Sequence, residues 1–160
     1  MIKKTKKSIQ GFTLTELMVI AAIVAVLALI AIPGFSMWLP GYKLKSAAQD
    51  LYSNIQATKL RAIKESTTSE INFYTAPDRY EYSFSTSSRT VPLEDYGYGV
   101  NFDGPSGETF DAPDLSFDPR GFSTGGCAYL SNAEHSAFYR VRVLTTGAVR
   151  LEKREGGEWR

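Results

Sequence analysis

Gly11-Phe12-Thr13-Leu14-Thr15-Glu16, followed without a break by an apolar run from Leu17 to Ile32, decides how the rest of the chain is read. Ahead of it, Lys3, Lys4, Lys6 and Lys7 make residues 1–8 basic and polar. A helix from Phe12 to Ile32 would span roughly 30 Å, about one bilayer core. A cleaved secretory signal fits this pattern poorly. Its small-residue exit site should follow the apolar run, yet Val26-Leu27-Ala28 lies inside it. An ordinary membrane anchor explains the run but not the carboxylate of Glu16 at its edge. At the centre of a spanning helix a carboxylate costs about 2.5–3.5 kcal/mol, and less near an edge, so such a charge implies a partner. The lysines place the amino terminus in the cytoplasm and the body on the far side of the membrane.

The hexapeptide resembles the type IV prepilin (class III signal) motif, in which a glycine precedes an N-methylated phenylalanine and a glutamate follows four residues later. The resemblance implies that a membrane aspartyl peptidase removes residues 1–11 by cutting after Gly11, then methylates the new amine of Phe12. Gly11, with no side chain, suits close entry of an extended backbone into a protease cleft. The resemblance also implies that Glu16 serves assembly by meeting the terminal amine of a neighbouring subunit.

Residues 12–42 are read as a transmembrane and assembly helix. Pro33-Gly34 ends the apolar run and Pro40-Gly41 follows Trp38 and Leu39. Pro33 is expected to break or kink the helix, as a proline common in pilin amino-terminal helices does, or to stop it at the membrane surface with Trp38 and Tyr42 as interfacial aromatics. Residues 43–160 form the expected periplasmic domain. Within it, 43–65 reads as an amphipathic helix with Leu44, Ala47, Ala48, Leu51, Ile55, Thr58 and Ala62 on one face. Ser66-Thr67-Thr68 then breaks the pattern. Residues 69–160 are β-like, with alternation at Ile71-Phe73, Tyr80-Tyr82-Phe84, Val100-Phe102 and Leu115-Phe117. A last hairpin has Tyr139, Val141 and Val143 on one face, Arg140 and Arg142 on the other, a turn at Thr145-Thr146-Gly147, and a return through Val149 and Leu151.

This layout, with the Phe117-Asp118-Pro119-Arg120-Gly121 stretch and the hairpin around Gly147, resembles the GspH/FimT-like pseudopilins and minor pilins. The implied fold is α+β, a long amino-terminal helix on a C-terminal antiparallel β domain. The implied role is structural: a subunit that initiates or caps a type IV pilus or a type II secretion pseudopilus. Its implied partners are other pilins, the prepilin peptidase and the inner-membrane assembly platform.

Composition narrows the rivals. The whole-chain charge of +1 falls to −3 once the four leader lysines are set aside, which argues against a general polyanion binder. Cys127, the single cysteine, permits no internal disulfide and reads as a small core residue. His135 has no triad by adjacency, Gly104-Pro105-Ser106-Gly107 lacks nucleophile-elbow spacing, and Gly121–Gly126 lacks a G-K-S/T ending, so no enzyme and no cofactor are implied. Asp103, Glu108, Asp111, Asp114 and Asp118 match no calcium-loop spacing and read as a solvated acidic loop. Some FimT-like minor pilins bind DNA near the last hairpin. Here Arg150, Lys153 and Arg154 are the candidate DNA contacts, within a strip that takes in Arg140, Arg142, Arg160 and Trp159. Glu152, Glu155 and Glu158 dilute that strip, and a major filament subunit is a third reading.

Overall fold

In the computed structural model of the chain, residues 12–84 and 87–160 are described, with backbone alone at 30–37, 84 and 87. The expected leader 1–11, with Gly11, lies outside the described residues. The chain divides into two compact units, the second beginning at Leu39.

Helix α1 runs from Leu14 to Glu65. Its backbone is helical through Pro33 and Pro40, so the break expected at Pro33 does not interrupt it. A proline forfeits one N–H bond of the ladder, and the turns on either side keep theirs. In the first unit the apolar side chains from Phe12 to Leu29 are exposed around the helix, Phe12 at 78% and Leu17 at 62%. Among the described residues no helix is long and apolar enough to cross a membrane. The apolar run counted in the sequence continues to Ile32, beyond Leu29, the last side chain described before the gap.

In the second unit α1 turns amphipathic. Leu44, Ala47, Ala48, Leu51, Ile55 and Ala62 are fully buried, and Thr58 is 1% exposed. The hydroxyl of Thr58 donates to the Asn54 carbonyl at 2.9 Å, which is how a polar group sits on this face without cost. The helix ends at Ser66, in a left-handed conformation (φ 52°), and the amide of Thr67 closes the last turn on the Ala62 carbonyl.

The strands are β1 (Ser69–Thr75), β2 (Asp78–Phe84), β3 (Ser87–Pro92), β4 (Asp114–Phe117), β5 (Gly126–Ser131), β6 (Phe138–Val143), β7 (Val149–Glu155) and β8 (Glu158–Trp159). Among the described residues they form two antiparallel sheets, ordered β3-β2-β1-β4 and β5-β6-β7-β8. Ile71, Phe73, Tyr80, Tyr82, Leu115 and Phe117 from the first sheet share one core with Ala128, Leu130, Val141 and Val143 from the second and with the buried stripe of α1. Val100-Phe102 is not a strand. Val100 and Phe102 are buried, but the segment makes a single bridge, Asn101 to Ser131, because Gly97, Tyr98 and Gly99 ahead of it all take positive φ.

Polar ties fasten α1 to the β domain. Asn54 donates to the Tyr80 hydroxyl at 2.7 Å, and the Tyr96 hydroxyl donates to Asp50 at 2.9 Å. Burial pushes the Tyr80 phenol up to about 12. Lys59 Nζ donates to the Gly147 carbonyl at 2.8 Å, joining positions 88 residues apart. Gly147 takes φ +74°, and a Cβ there would collide with the Gly121 carbonyl oxygen. The turn that carries Gly121 is held by Asp118, whose carboxylate accepts the amides of Arg120 and Phe122, both at 2.9 Å. The two glycine-containing stretches singled out in the sequence therefore meet, and Gly147 is needed for the close approach.

Candidate functional site

The described start of the chain is organised by a capping box. Thr13 precedes the first helical residue, and its hydroxyl accepts the Glu16 amide at 3.2 Å. Glu16 reaches back to accept the Thr13 amide at 3.1 Å and the Thr13 hydroxyl at 3.0 Å. Two orphan amides of the helix start are satisfied reciprocally, and a carboxylate sits where the helix dipole favours one. Sequence reading treated Glu16 only as a charge awaiting a partner. The signal for its second role was present, since Thr13-Leu14-Thr15-Glu16 has the T-x-x-E spacing. Phe12, Thr15, Glu16, Val19 and Ile20 line a shallow groove on this end. It offers an apolar wall with one carboxylate, suited to a cation carried on an apolar body.

The second candidate is the outer face of the β5-β6-β7-β8 sheet. Register puts Arg142 opposite Arg150 and Cys127, Arg140 opposite Glu152 and Tyr129, and Arg154 opposite Trp159. Four arginines thus share the face with one glutamate of the strands. Arg140 pairs with Glu152 at 2.5 Å, and its guanidinium lies over the Trp159 ring, 4.5 Å from the centroid. Tyr129 packs against the same ring at 5.8 Å. Arg142 and Arg150 are exposed, and neither they nor Arg154 has a carboxylate within 4.0 Å among the described residues.

Lys153 is not part of this face. It lies opposite Tyr139, on the side that also carries Val141 and Leu151, and pairs with Glu155 at 2.8 Å. That pairing raises its ammonium above the ordinary lysine range. Arg160 runs beside Lys153 through paired backbone bonds and reaches Glu158 at 3.8 Å. Of the three candidate DNA contacts, Arg150 and Arg154 come together and Lys153 is turned away. The parity of a strand carried this information, because 150 and 154 are even and 153 is odd.

A cleft of about 480 Å³ opens beside Arg142, lined among others by Asp111, Thr124, Gly126, Cys127, Arg140 and Thr145. Cys127 is buried, but at an outer-face position opposite Arg142 and apart from the core cluster shared by the sheets and α1, and burial together with the Asp111 carboxylate pushes its thiol up to about 11. A thiol so raised is a poor nucleophile at neutral pH.

The remaining acidic residues disperse. Asp103 meets His135 at 2.6 Å, a contact across 32 residues that sequence reading could not see. Glu108 accepts the Ser106 amide at 2.9 Å and Asp118 holds its turn. Among the described residues no three of His, Cys, Asp and Glu converge on a point that could hold a metal ion.

Residues 6–32 match the model of the prokaryotic N-terminal methylation motif. Among solved structures, the crystal structure of the type IV minor pilin FimU from Pseudomonas aeruginosa strain PAO1 is similar, with a TM-score of 0.56 and 12% identity. The match covers 74% of this chain and 93% of that one. No curated protein matches the chain. The chain is prepilin-like: it carries the methylation motif, and its α+β fold is that of a type IV pilin.

Proposed function

We propose that this chain is a minor pilin or pseudopilin, a structural subunit that initiates or caps a type IV pilus or a type II secretion pseudopilus. In this reading a prepilin peptidase cuts after Gly11 and methylates the amine of Phe12. The apolar helix anchors the mature chain in the inner membrane with the body on the periplasmic side, and the assembly platform extracts it into a filament of other pilins. The observation that carries the reading is the contrast along α1. From Phe12 to Leu29 the helix exposes apolar side chains all round behind a capped carboxylate, and from Leu44 it buries a single stripe in a pilin-like β domain. A helix apolar on every side needs lipid or other helices as its surroundings. Glu16 is costly in lipid unless paired, and the amine of a neighbour's Phe12 would supply the opposite charge.

The test is the mass of the purified membrane form. We expect a chain beginning at methylated Phe12, and an intact Lys3–Lys7 leader in cells with an active peptidase would refute the reading. The rival reading, duplex DNA held by Arg150, Lys153 and Arg154, loses Lys153 to the opposite face, leaving Arg150 and Arg154. Salt-sensitive DNA binding by the full chain, lost in Arg150→Ala/Arg154→Ala, would restore it.

A further inference from the structure

The outer face of the second sheet contains an imbalance that the fold does not resolve. Arg140 and Arg142 lie two residues apart on β6, and the chain treats them differently. Arg140 faces Glu152 across the ladder and is neutralised. Arg142 faces Arg150, so two arginines occupy directly opposite positions of one face, both exposed, with no carboxylate within 4.0 Å among the described residues. Like charges directly opposite each other destabilise a strand pair. Beside Arg142 the surface dips into the cleft of about 480 Å³, lined by the small uncharged Thr124, Gly125, Gly126 and Thr145 and, among its charged groups, by Arg140 and a single carboxylate, Asp111. A side chain from outside can enter there and meet Arg142, because no bulky group of this chain fills the space.

We propose that the Arg142–Arg150 pair, with the cleft beside Arg142, is a docking site for an acidic segment of a neighbouring filament subunit. The inference rests on the reading of the chain as a filament subunit. A guanidinium fork donates two parallel hydrogen bonds to a carboxylate, and two arginines at opposite positions suit two carboxylates of one extended segment. A nucleic acid suits the face less well. Its phosphates form a continuous line of charge, and that line would run over Glu152 and past Asp111, which sits at the cleft, and Glu108, which lies within the electrostatic reach of Arg154. A single strand would also need open aromatic faces for its unpaired bases to stack on. The Trp159 ring is covered by Arg140 and flanked by Tyr129. A short acidic segment can be held by Arg142 and Arg150 without spanning Glu152 and Glu108, needs no stacking platform and removes the repulsion between the two arginines.

The probe is a fluorescein-labelled hexaglutamate peptide, titrated against the full chain as purified in a non-ionic detergent, with duplex DNA of matched charge in parallel. We expect the peptide to bind, and Arg142→Gln/Arg150→Gln to weaken it at least about tenfold. Lys153→Gln, a change on the opposite face, should leave binding unaltered. The double variant should also melt about 1–2 °C higher than the parent, because the repulsion is gone; a merely structural role for the pair would lower the melting temperature instead. In cells, Arg142→Gln/Arg150→Gln should leave leader cleavage and membrane insertion unchanged while lowering the filament-bound fraction. Failure of cleavage in the parent chain would sink the subunit reading and leave the peptide result readable. No binding of hexaglutamate, equal binding by the double variant, or tighter binding of the DNA would overturn the docking site, the last assigning the face to nucleic acid.

Discussion

The two halves of α1 use one backbone geometry for opposite purposes. Between Leu44 and Ala62 the apolar residues recur on a single face, and each is removed from water by strands of the same chain. Between Phe12 and Leu29 they occupy every face and, among the described residues, stay exposed. The first pattern reports how the protein folds, the second what it must be placed among. Polar groups divide in the same way. On the carboxyl-terminal half Thr58, Asn54, Asp50 and Lys59 are bonded within the domain. On the amino-terminal half the carboxylate of Glu16 is bonded to the threonine that begins its own helix, and among the described residues it meets no cation.

The largest effect that could break this comparison is loss of assembly. Glu16→Leu should be cleaved and inserted as well as the parent, since leucine enters a bilayer more easily than a carboxylate, yet should be nearly absent from sheared filaments. The capping box now requires two controls. Glu16→Gln keeps an acceptor for the Thr13 amide but carries no charge, and it should assemble as poorly as Glu16→Leu. Thr13→Ala removes the cap, worth about 0.5–2 kcal/mol of helix stability, and keeps the charge. It should assemble far better than either Glu16 variant. Normal assembly of Glu16→Gln would reduce Glu16 to a helix cap.

Next in size is a matched pair of truncations. Leu51 is fully buried and Leu17 is 62% exposed. Leu51→Ala should destabilise the body by about 2–5 kcal/mol in a denaturant titration. Leu17→Ala should change the same transition by less than about 0.5 kcal/mol, and show itself instead as weaker retention in membranes. Equal effects on the folding transition would mean that residues 12–29 are covered by the rest of the chain, contrary to the contrast drawn above.

What was legible in the sequence follows the same division. The buried stripe of α1 was read residue by residue because a period of 3.6 is local, and the last hairpin because a period of 2 is. Strand β3 was missed since Ser87-Ser88-Arg89-Thr90 at a sheet edge carries almost no apolar alternation. Strand β5 was missed since it opens on Gly126-Cys127-Ala128, small residues with weak strand preference. Val100-Phe102 was over-read because burial on a loop imitates burial on a strand. At the sites, the T-x-x-E cap and the parity separating Lys153 from Arg150 and Arg154 were both readable. The Asp103–His135 contact and the meeting of Gly121, Gly147 and Lys59 were not, as no local pattern joins residues so far apart.

That meeting point sharpens the comparison further, because it lies wholly within the folded body. Gly147→Ala forces a Cβ against the Gly121 carbonyl and strains a residue at φ +74°. Both partners of the collision are backbone, so relief requires moving the hairpin or the Asp118 turn. We expect a loss of about 2–4 kcal/mol, measured by thermal or denaturant unfolding. Lys59→Met, which removes the ammonium that holds the Gly147 carbonyl, should cost less, about 1 kcal/mol. Leader cleavage should be untouched in both.

The smallest effect is a dependence on pH from Asp78, at the head of β2. Burial pushes its carboxyl above the usual range, with the Asp103 carboxylate adding to the rise, while the Phe102 amide at 3.2 Å acts against it. A carboxyl whose folded pKa exceeds its unfolded value binds its proton more tightly when folded. Its ionised form is therefore a burden at neutral pH, and that burden is lifted as pH falls through the raised folded value. Asp78→Asn removes the charge but keeps an oxygen to accept the Phe102 amide. The variant should be slightly more stable than the parent at pH 7, and the advantage should vanish below the ordinary aspartate value of 3.8. Denaturant midpoints at pH 7 and pH 3 decide the matter. A variant less stable than the parent at pH 7 would mean that the charge strengthens the Phe102 bond by more than burial costs it, and Asp78 would then count among the groups that hold the β domain together.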